Sequence, residues 1–405
     1  MKILHISAGF SIDFQGGITN YVRNIALEQA RNGNEVWILA DSGSEQAYKL
    51  FCPATRIKPF SFAHKCDLKN YSQIEGFIQD EDFDLIHIHM MLNVDQRLYR
   101  IIKQYKYIIS LHDYYYICPR IIMKHGHSIR CEKANTEKCE QCFSVLDYNN
   151  LYYRAIRKLF GEAFADRFPI KARSIYRKWI TNLKPLLEGA KLLIPVSNRV
   201  MEIYQQSGIQ NNYRVLHIGN MSALDFNDKY QYKHNDSINI VVLSSVAEYK
   251  GGNLLCKLIK ETNNKLLKVH FYGRANAEQA QMLEEAGIIN HGAYKQNELK
   301  EILSNVDLGM VLPIWEDNAP QVVMEMLNNH VPVFATKMGG ITDFVNENNG
   351  YTFDPFNPID IENAIEFLNN LNFNDIERMK KSIKRTTTPE EHYLKLMDVY
   401  KEVLK

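Results

Sequence analysis

The chain has 405 residues, 45% of them apolar and 23% charged, with a formal net charge of +1. That length holds two domains of ordinary size, each with its own core, and the near-neutral balance excludes a chain that binds polyanions through bulk charge. No run approaches the roughly 18 apolar residues of a membrane span, "MKILHISAGF" lacks the apolar core of a secretory leader, and seven cysteines, an odd count, fit a reducing compartment. The expected location is the cytoplasm.

Short apolar runs at 2–7, 35–40, 84–89, 107–112, 191–197 and 213–219 read as strands. Between the first two lies "ITNYVRNIALEQARNGN", where Ile18, Val22, Ile25, Ala26 and Ala30 keep helical spacing and Gly33 can stop the helix. Gly16 and Gly17 follow the first strand and open that helix. Glycines there let a backbone approach a phosphate or a sugar, and an ordinary turn is the alternative. His87 and His89 in "IHIH" read as strand residues, with no third ligand nearby to complete a metal site. The acids of "DED" (80–82) read as a solvated loop. His112 ends the strand 107–112 and so points to the ligand end of an open sheet; a bond to backbone is the plainer role for it.

Cys118, Cys131, Cys139 and Cys142 cluster in "CPRIIMKHGHSIRCEKANTEKCEQC", which ends in C-x-x-C. The cluster is a candidate structural zinc site, with His125 or His127 able to replace a cysteine, against the alternative of reduced free thiols. Residues 151–191 hold ten Lys or Arg, three Asp or Glu and seven aromatics. Such a basic amphipathic stretch suits docking on anionic lipid headgroups, a peripheral membrane contact, against a solvated face over a core stripe. Nucleic acid is not expected, since the rest of the chain is not basic.

A polar stretch, "SALDFNDKYQYKHNDS" (222–237), interrupts the rhythm and reads as a linker, after which strands restart at 238–245, 268–273, 307–313 and 331–336. The expected organisation is an N-terminal domain over 1–221, carrying the Cys-rich insert 118–142 and the basic helices 151–191. A linker follows over 222–236, then a C-terminal domain over 237–387 and a helix over 388–405 returning to the first domain. Strand–helix alternation with β-branched strands makes each domain α/β with a parallel sheet. In "PIWEDNAPQVVMEMLNNHVPV" (313–333), Pro320 suits the first turn of a helix, whose amides and dipole form an anion site.

"AGFSIDFQGGITNYVRNIA", "FDLIHIH", "LHDYYYICPR", "IPVSNRV", "YKGG", "VDLGMVLPIWEDNAPQVVMEML" and "VPVFATKMGGITDFV" occur in that order along nearly the whole chain. Together they resemble the retaining GT-B glycosyltransferases of family 4 (glycosyl transferases group 1). The resemblance implies an α/β, GT-B fold, two Rossmann-like parallel-sheet domains facing a cleft. It implies transfer, with retention and without a metal or other catalytic cofactor, from a nucleotide-sugar donor to a hydroxyl of a glycan or lipid-linked acceptor. Such chemistry belongs to polysaccharide biosynthesis.

Family members carry two acids with seven residues between them, the first on the donor sugar and the second on the ribose. Asp317 and Glu325 have seven residues between them, Glu316 and Glu325 eight, so the register favours Asp317 although Glu is usual there. Glu316 is the alternative, with a helix-capping role also open to it. The candidate substrate-binding set is Gly16, Gly17, Glu316, Asn318, Ala319 and Glu325; the candidate catalytic set is His112, Asp317 and Lys250. The resemblance implies that His112 touches the donor sugar and that Lys250 holds the diphosphate. The family pairs that lysine with an arginine; Ser245 stands in its place here, and Arg274 is the candidate substitute. Two rival readings are a non-catalytic glycan- or partner-binding subunit and a sugar-nucleotide epimerase.

Overall fold

Six parallel strands build the first sheet: β1 (Lys2–Ser7), β2 (Glu35–Ala40), β3 (Arg56–Pro59), β4 (Leu85–Met90), β5 (Tyr107–Leu111) and β8 (Leu193–Pro195), in the order β3-β2-β1-β4-β5-β8. Between β5 and β8 lies a small antiparallel pair, β6 (Lys124–His125) with β7 (Ile129–Arg130). A second six-stranded parallel sheet comprises β9 (Ile238–Leu243), β10 (Leu267–Tyr272), β11 (Ile289–Gly292), β12 (Leu308–Val311), β13 (Val333–Thr336) and β14 (Gly350–Phe353), ordered β11-β10-β9-β12-β13-β14. The computed structural model describes residues 1–7, 16–40, 56–59, 71–91, 97–118, 121, 123–125, 129–142, 158–159, 173–233 and 235–405. The chain divides into two units, 1–216 with 393–405, and 217–392.

Burial on both faces explains why the central strands are apolar throughout. In β9, Ile240 and Val242 enter a core with Leu255, Leu258, Phe271 and Met310. The alternate residues Val241 and Leu243 enter another with Val323, Met326, Leu327 and Val333. Period-two alternation thus feeds two helix layers, from Gly252–Glu261 on one side and Gln321–Asn328 on the other. In the first unit the helix Gly17–Arg31 lays Val22 and Ala26 on Val36 and Ile38 of β2. The last helix, Pro389–Leu404, packs Leu396, Met397, Val399 and Tyr400 onto Ile3, Ile25 and Leu85. Each such fully buried aliphatic contributes about 1.5–3 kcal/mol relative to exposure.

Several expectations change. Residues 213–219 form no strand, only a single bridge between Tyr213 and Leu193. β3, β11 and β14 were not expected from the apolar pattern; they are four residues long and lie at sheet edges, where polar residues blunt the pattern. Asp80 and Glu81 belong to the last turn of the helix Tyr71–Glu81, and Glu81 pairs with Lys2 at 2.9 Å. The stretch read as a linker lies in the second unit and is bonded to it. Tyr232 donates to buried Asp307 at 2.8 Å, and Asn328 donates to Ser222 at 2.9 Å. Of the basic stretch, 151–157 and 160–172 lie outside the described residues; the helix Arg173–Gly189 carries its end. Among the described residues no helix is long and apolar enough to cross a membrane.

Candidate active site

In the second sheet the strand order reverses between β9 and β12, and the loops leaving their carboxyl ends meet there. After β9 come Ser244, Ser245 and a short 3₁₀ turn, Glu248–Lys250; after β12 comes the segment 312–320. Gly251, at φ +80°, brings the first loop against the second so closely that a Cβ would lie 1.9 Å from the Leu312 carbonyl oxygen. The Ile314 amide donates to the Tyr249 carbonyl at 2.9 Å, stitching the loops together. Only a glycine permits that approach. As a result the Lys250 ammonium sits 3.0 Å from Asp317 Oδ2 and 5.2 Å from the Trp315 ring centroid. Ser244, Ser245, Lys250, Gly251, Gly252 and Asp317 line a pocket above the apolar side chains of Leu255, Phe271, Met310 and Val322. Arg274, exposed beyond β10, is not part of this lining, so the expected substitute cation is not found at the pocket.

The neighbouring acids part company. Glu316 is fully buried and its Oε2 accepts the Gly339 amide at 2.9 Å. Gly339, at φ +58°, lies against Asp317 so closely that a Cβ would meet its carbonyl oxygen at 1.8 Å, and the Gly340 amide donates to that oxygen at 2.7 Å. With the backbone clamped and Glu316 turned inward, Asp317 faces the pocket. Pro320 then caps the helix Gln321–Asn328. Half-buried Asn318 precedes it with an Oδ1 that has no hydrogen-bond partner among the described residues, followed by half-buried Ala319. Glu325 lies one turn beyond Val322 on the same helix face. It accepts from Gln296 Nε2 at 2.9 Å, and burial raises its carboxyl above the usual range against the lowering effect of that bond.

The first sheet reverses order between β1 and β4. Gly16 caps the helix Gly17–Arg31 without a side-chain bond, its carbonyl accepting from the Asn20 amide. Gly17 is exposed, and a Cβ there would meet nothing within 4 Å, so packing does not require glycine at that position. His112, half-buried just beyond β5, lies 3.1 Å through Nε2 from His89 Nδ1, with the Tyr21 ring edge-on at 4.7 Å. Asp113 follows, its carboxyl pushed up to about 6 by burial and held back by the Tyr115 amide. The third histidine that the local sequence lacked is His5, on β1. His5, His87 and His89 bring ligand atoms mutually within 4.8 Å, and among the described residues this is where such a group occurs. Sheet register joins them: His5 stands opposite His87.

Residues 15–219 match the model of the family described as Glycosyltransferase Family 4, and residues 225–386 match Glycosyl transferases group 1. The chain belongs to glycosyltransferase family 4. It is therefore a nucleotide-sugar-dependent glycosyltransferase. No curated protein sequence matches this transferase. Its fold is shared with a glycosyltransferase from Rickettsia africae ESF-5, at TM-score 0.63 and 13% identity over 100% of this chain and 98% of that one. Anabaena HepE, solved with UDP and glucose, superposes at TM-score 0.59 and 16% identity over 99% and 100%. WaaB, a lipopolysaccharide outer core galactosyltransferase, superposes at 0.62 and 11% identity over 99% and 100%. These likenesses establish the GT-B architecture, two parallel-sheet α/β domains.

In this transferase Cys118, Cys131, Cys139 and Cys142 are half-buried and form no disulfide among the described residues. Cys139 and Cys142 share the helix Thr136–Cys142, and Cys131 follows β7. Burial raises the Cys131 thiol against the lowering effect of Lys138, with Cys142 and Cys139 nearby, and Tyr176 lies beside both Cys139 and Cys118. The four thiols therefore share one locality, and among the described residues they do not show the close ligand grouping of the histidines. His127 lies outside the described residues, as does the side chain of His125.

Proposed function

We propose that this glycosyltransferase holds a nucleotide diphosphate sugar at the Lys250–Asp317 pocket and passes the sugar, with retention, to a hydroxyl of a glycan or lipid-linked acceptor. The observation that carries this reading is one ammonium, held by one carboxylate at 3.0 Å, where the β9 and β12 loops meet. An ammonium has three N–H donors, so Lys250 can keep Asp317 and still bind a phosphate oxygen. That donor set suits an anion; a divalent cation would call for several oxygen ligands. HepE, with UDP and glucose bound, supports a uracil nucleotide as the first donor to test.

In the proposed reaction the bond between the anomeric carbon and the diphosphate oxygen breaks. The acceptor oxygen bonds to the same face of that carbon, and its proton passes to the departing diphosphate. Lys250 stabilises the charge that grows on the diphosphate, the electrostatic contribution to catalysis. Asp317 orients Lys250 and accepts from a sugar hydroxyl; Glu325 accepts from the ribose hydroxyls, with Asn318 and Ala319 at the helix entry completing the donor side. Within the first unit, His112, Gly16 and Gly17 are assigned to sugar binding. WaaB supports an acceptor of the lipopolysaccharide kind, which the basic stretch 151–191 would meet at an anionic membrane surface. We assign Cys118, Cys131, Cys139 and Cys142 to a structural zinc on the strength of their shared locality.

Incubation with a panel of sugar nucleotides tests the reading. Nucleoside diphosphate released together with a transferred sugar of unchanged anomeric configuration is the expected result. An epimerised donor, or binding without turnover, would replace it with one of the two rival functions. Metal analysis of protein purified without chelator should return about one zinc per chain; a value near zero removes the zinc assignment.

A further inference from the structure

His112 ends a chain of three imidazoles that begins deep in the first unit. His87 and His89 are two residues apart on β4 and so face the same side. His5 on β1 and Ser110 on β5 flank them from the neighbouring strands. His5 and His87 are fully buried and His89 is 2% exposed. Gln29 Oε1 lies 2.7 Å from His5 Nε2, His5 Nδ1 2.8 Å from His89 Nε2, and His89 Nδ1 3.1 Å from His112 Nε2. Beside this runs a second branch: Gln29 Nε2 donates to the Tyr400 hydroxyl at 3.2 Å, which lies 2.6 Å from His87 Nδ1, while His87 Nε2 is 2.8 Å from Ser110 Oγ.

A metal is not the better account of this group. Two tetrahedral nitrogen ligands of zinc stand about 3.3 Å apart, whereas His5 and His89 approach to 2.8 Å, the separation of a donor and an acceptor sharing one proton. Both nitrogens of His5 and both of His87 are already engaged in hydrogen bonds.

The amide of Gln29 sets the direction of the whole chain. Its nitrogen donates to Tyr400, so its oxygen faces His5 and requires a proton on His5 Nε2. His5 Nδ1 is then an acceptor and His89 Nε2 carries a proton. By the same step His89 Nδ1 accepts and His112 Nε2 carries the proton. We infer that Gln29, His5 and His89 form a one-way positioning relay that locks His112 as the neutral Nε2–H tautomer, presenting Nδ1 as the acceptor nitrogen for a sugar hydroxyl. The relay also ties that tautomer to Tyr400 on the last helix. Burial keeps His5 unprotonated down to about 4, so neutral pH does not disturb the relay. Among the described residues the other ionisable groups facing the rings are His87 and the phenols of Tyr21 and Tyr400, both raised by burial, and Asp113 adjoins His112.

The sugar-hydroxyl part rests on the proposed role of His112; the tautomer does not. Nitrogen-15 NMR of the histidine-labelled full chain reads the tautomer directly between pH 6 and 8. The expected result is a protonated Nε2 and a bare Nδ1 at His112 in the wild type and in His5→Gln, whose amide oxygen can still accept from His89. His5→Phe removes that acceptor and should give a mixture of tautomers. A kcat/KM about tenfold lower should accompany it, the effect of one lost hydrogen bond, with His5→Gln within about twofold of wild type. An Nδ1–H tautomer in the wild type, or an unchanged tautomer in folded His5→Phe, overturns the relay. The wild-type spectrum decides even if His5→Phe does not fold. If His112→Ala transfers sugar normally while the wild-type tautomer is as expected, the role of His112 falls and the relay stands.

Discussion

The two sheets run their strands in the same order, yet their crossing points carry opposite electrostatics. Between β1 and β4 stand buried imidazoles hydrogen-bonded to one another, and burial keeps one of them, His5, neutral. Between β9 and β12 stands an ammonium–carboxylate pair, its side chains 32% and 16% exposed. The difference follows from solvent access. A pair left partly in water avoids most of the desolvation cost of a buried ion pair, whereas a fully buried histidine is cheaper neutral. Topology supplies the place twice and the chemistry neither time.

The largest expected effect comes from removing the charged half. Lys250→Ala should lower kcat by on the order of 10²–10³-fold, read as release of nucleoside diphosphate; undiminished turnover would move the chemistry out of this pocket. The acids come next. Asp317→Asn should cost at least about tenfold in transfer. Glu316→Gln, whose amide oxygen can still accept from Gly339, should stay within about twofold of wild type. Glu316→Ala should instead lose about 1–3 kcal/mol of stability in denaturant unfolding, since it orphans a buried amide. If Glu316→Gln proves the more damaging to transfer, the assignment of Asp317 is wrong.

The smallest effect sharpens the neutral half. The pKa of His5 falls from 6.5 unfolded to about 4 folded, so the unfolded chain binds the extra proton between those values. Stability from His5 is present above pH 6.5 and lost as pH falls toward 4, on the order of 3 kcal/mol. Asp113 acts in the opposite sense. Its carboxyl rises from 3.8 to about 6, so the folded chain takes up the proton first and gains stability as pH falls through that window. Relative to wild type, Asp113→Asn should lose stability more steeply on acidification from pH 7 to 4.5, and His5→Gln less steeply. Parallel urea midpoints for all three proteins would show that neither group titrates as its burial requires.

Much of this was legible in the residues. The helix from Gly17 and the one after Pro320 start where glycine and proline punctuation places them, and the central strands are apolar enough to be read directly. The edge strands β3, β11 and β14 were not, since four residues with polar members leave no period to detect. Arg274 illustrates another limit: it is near the pocket in sequence order yet outside its lining.

By itself the sequence determined two tandem parallel-sheet domains, the acids with seven residues between them, and the lysine beside paired glycines, because these are local patterns of period and spacing. Tertiary structure decided which adjacent acid faces the pocket, through a glycine 23 residues from Glu316. It also brought His5 to His89, 84 residues on, through sheet register. Both outcomes depend on backbone segments approaching to within a side chain's width, a distance that no local periodicity encodes.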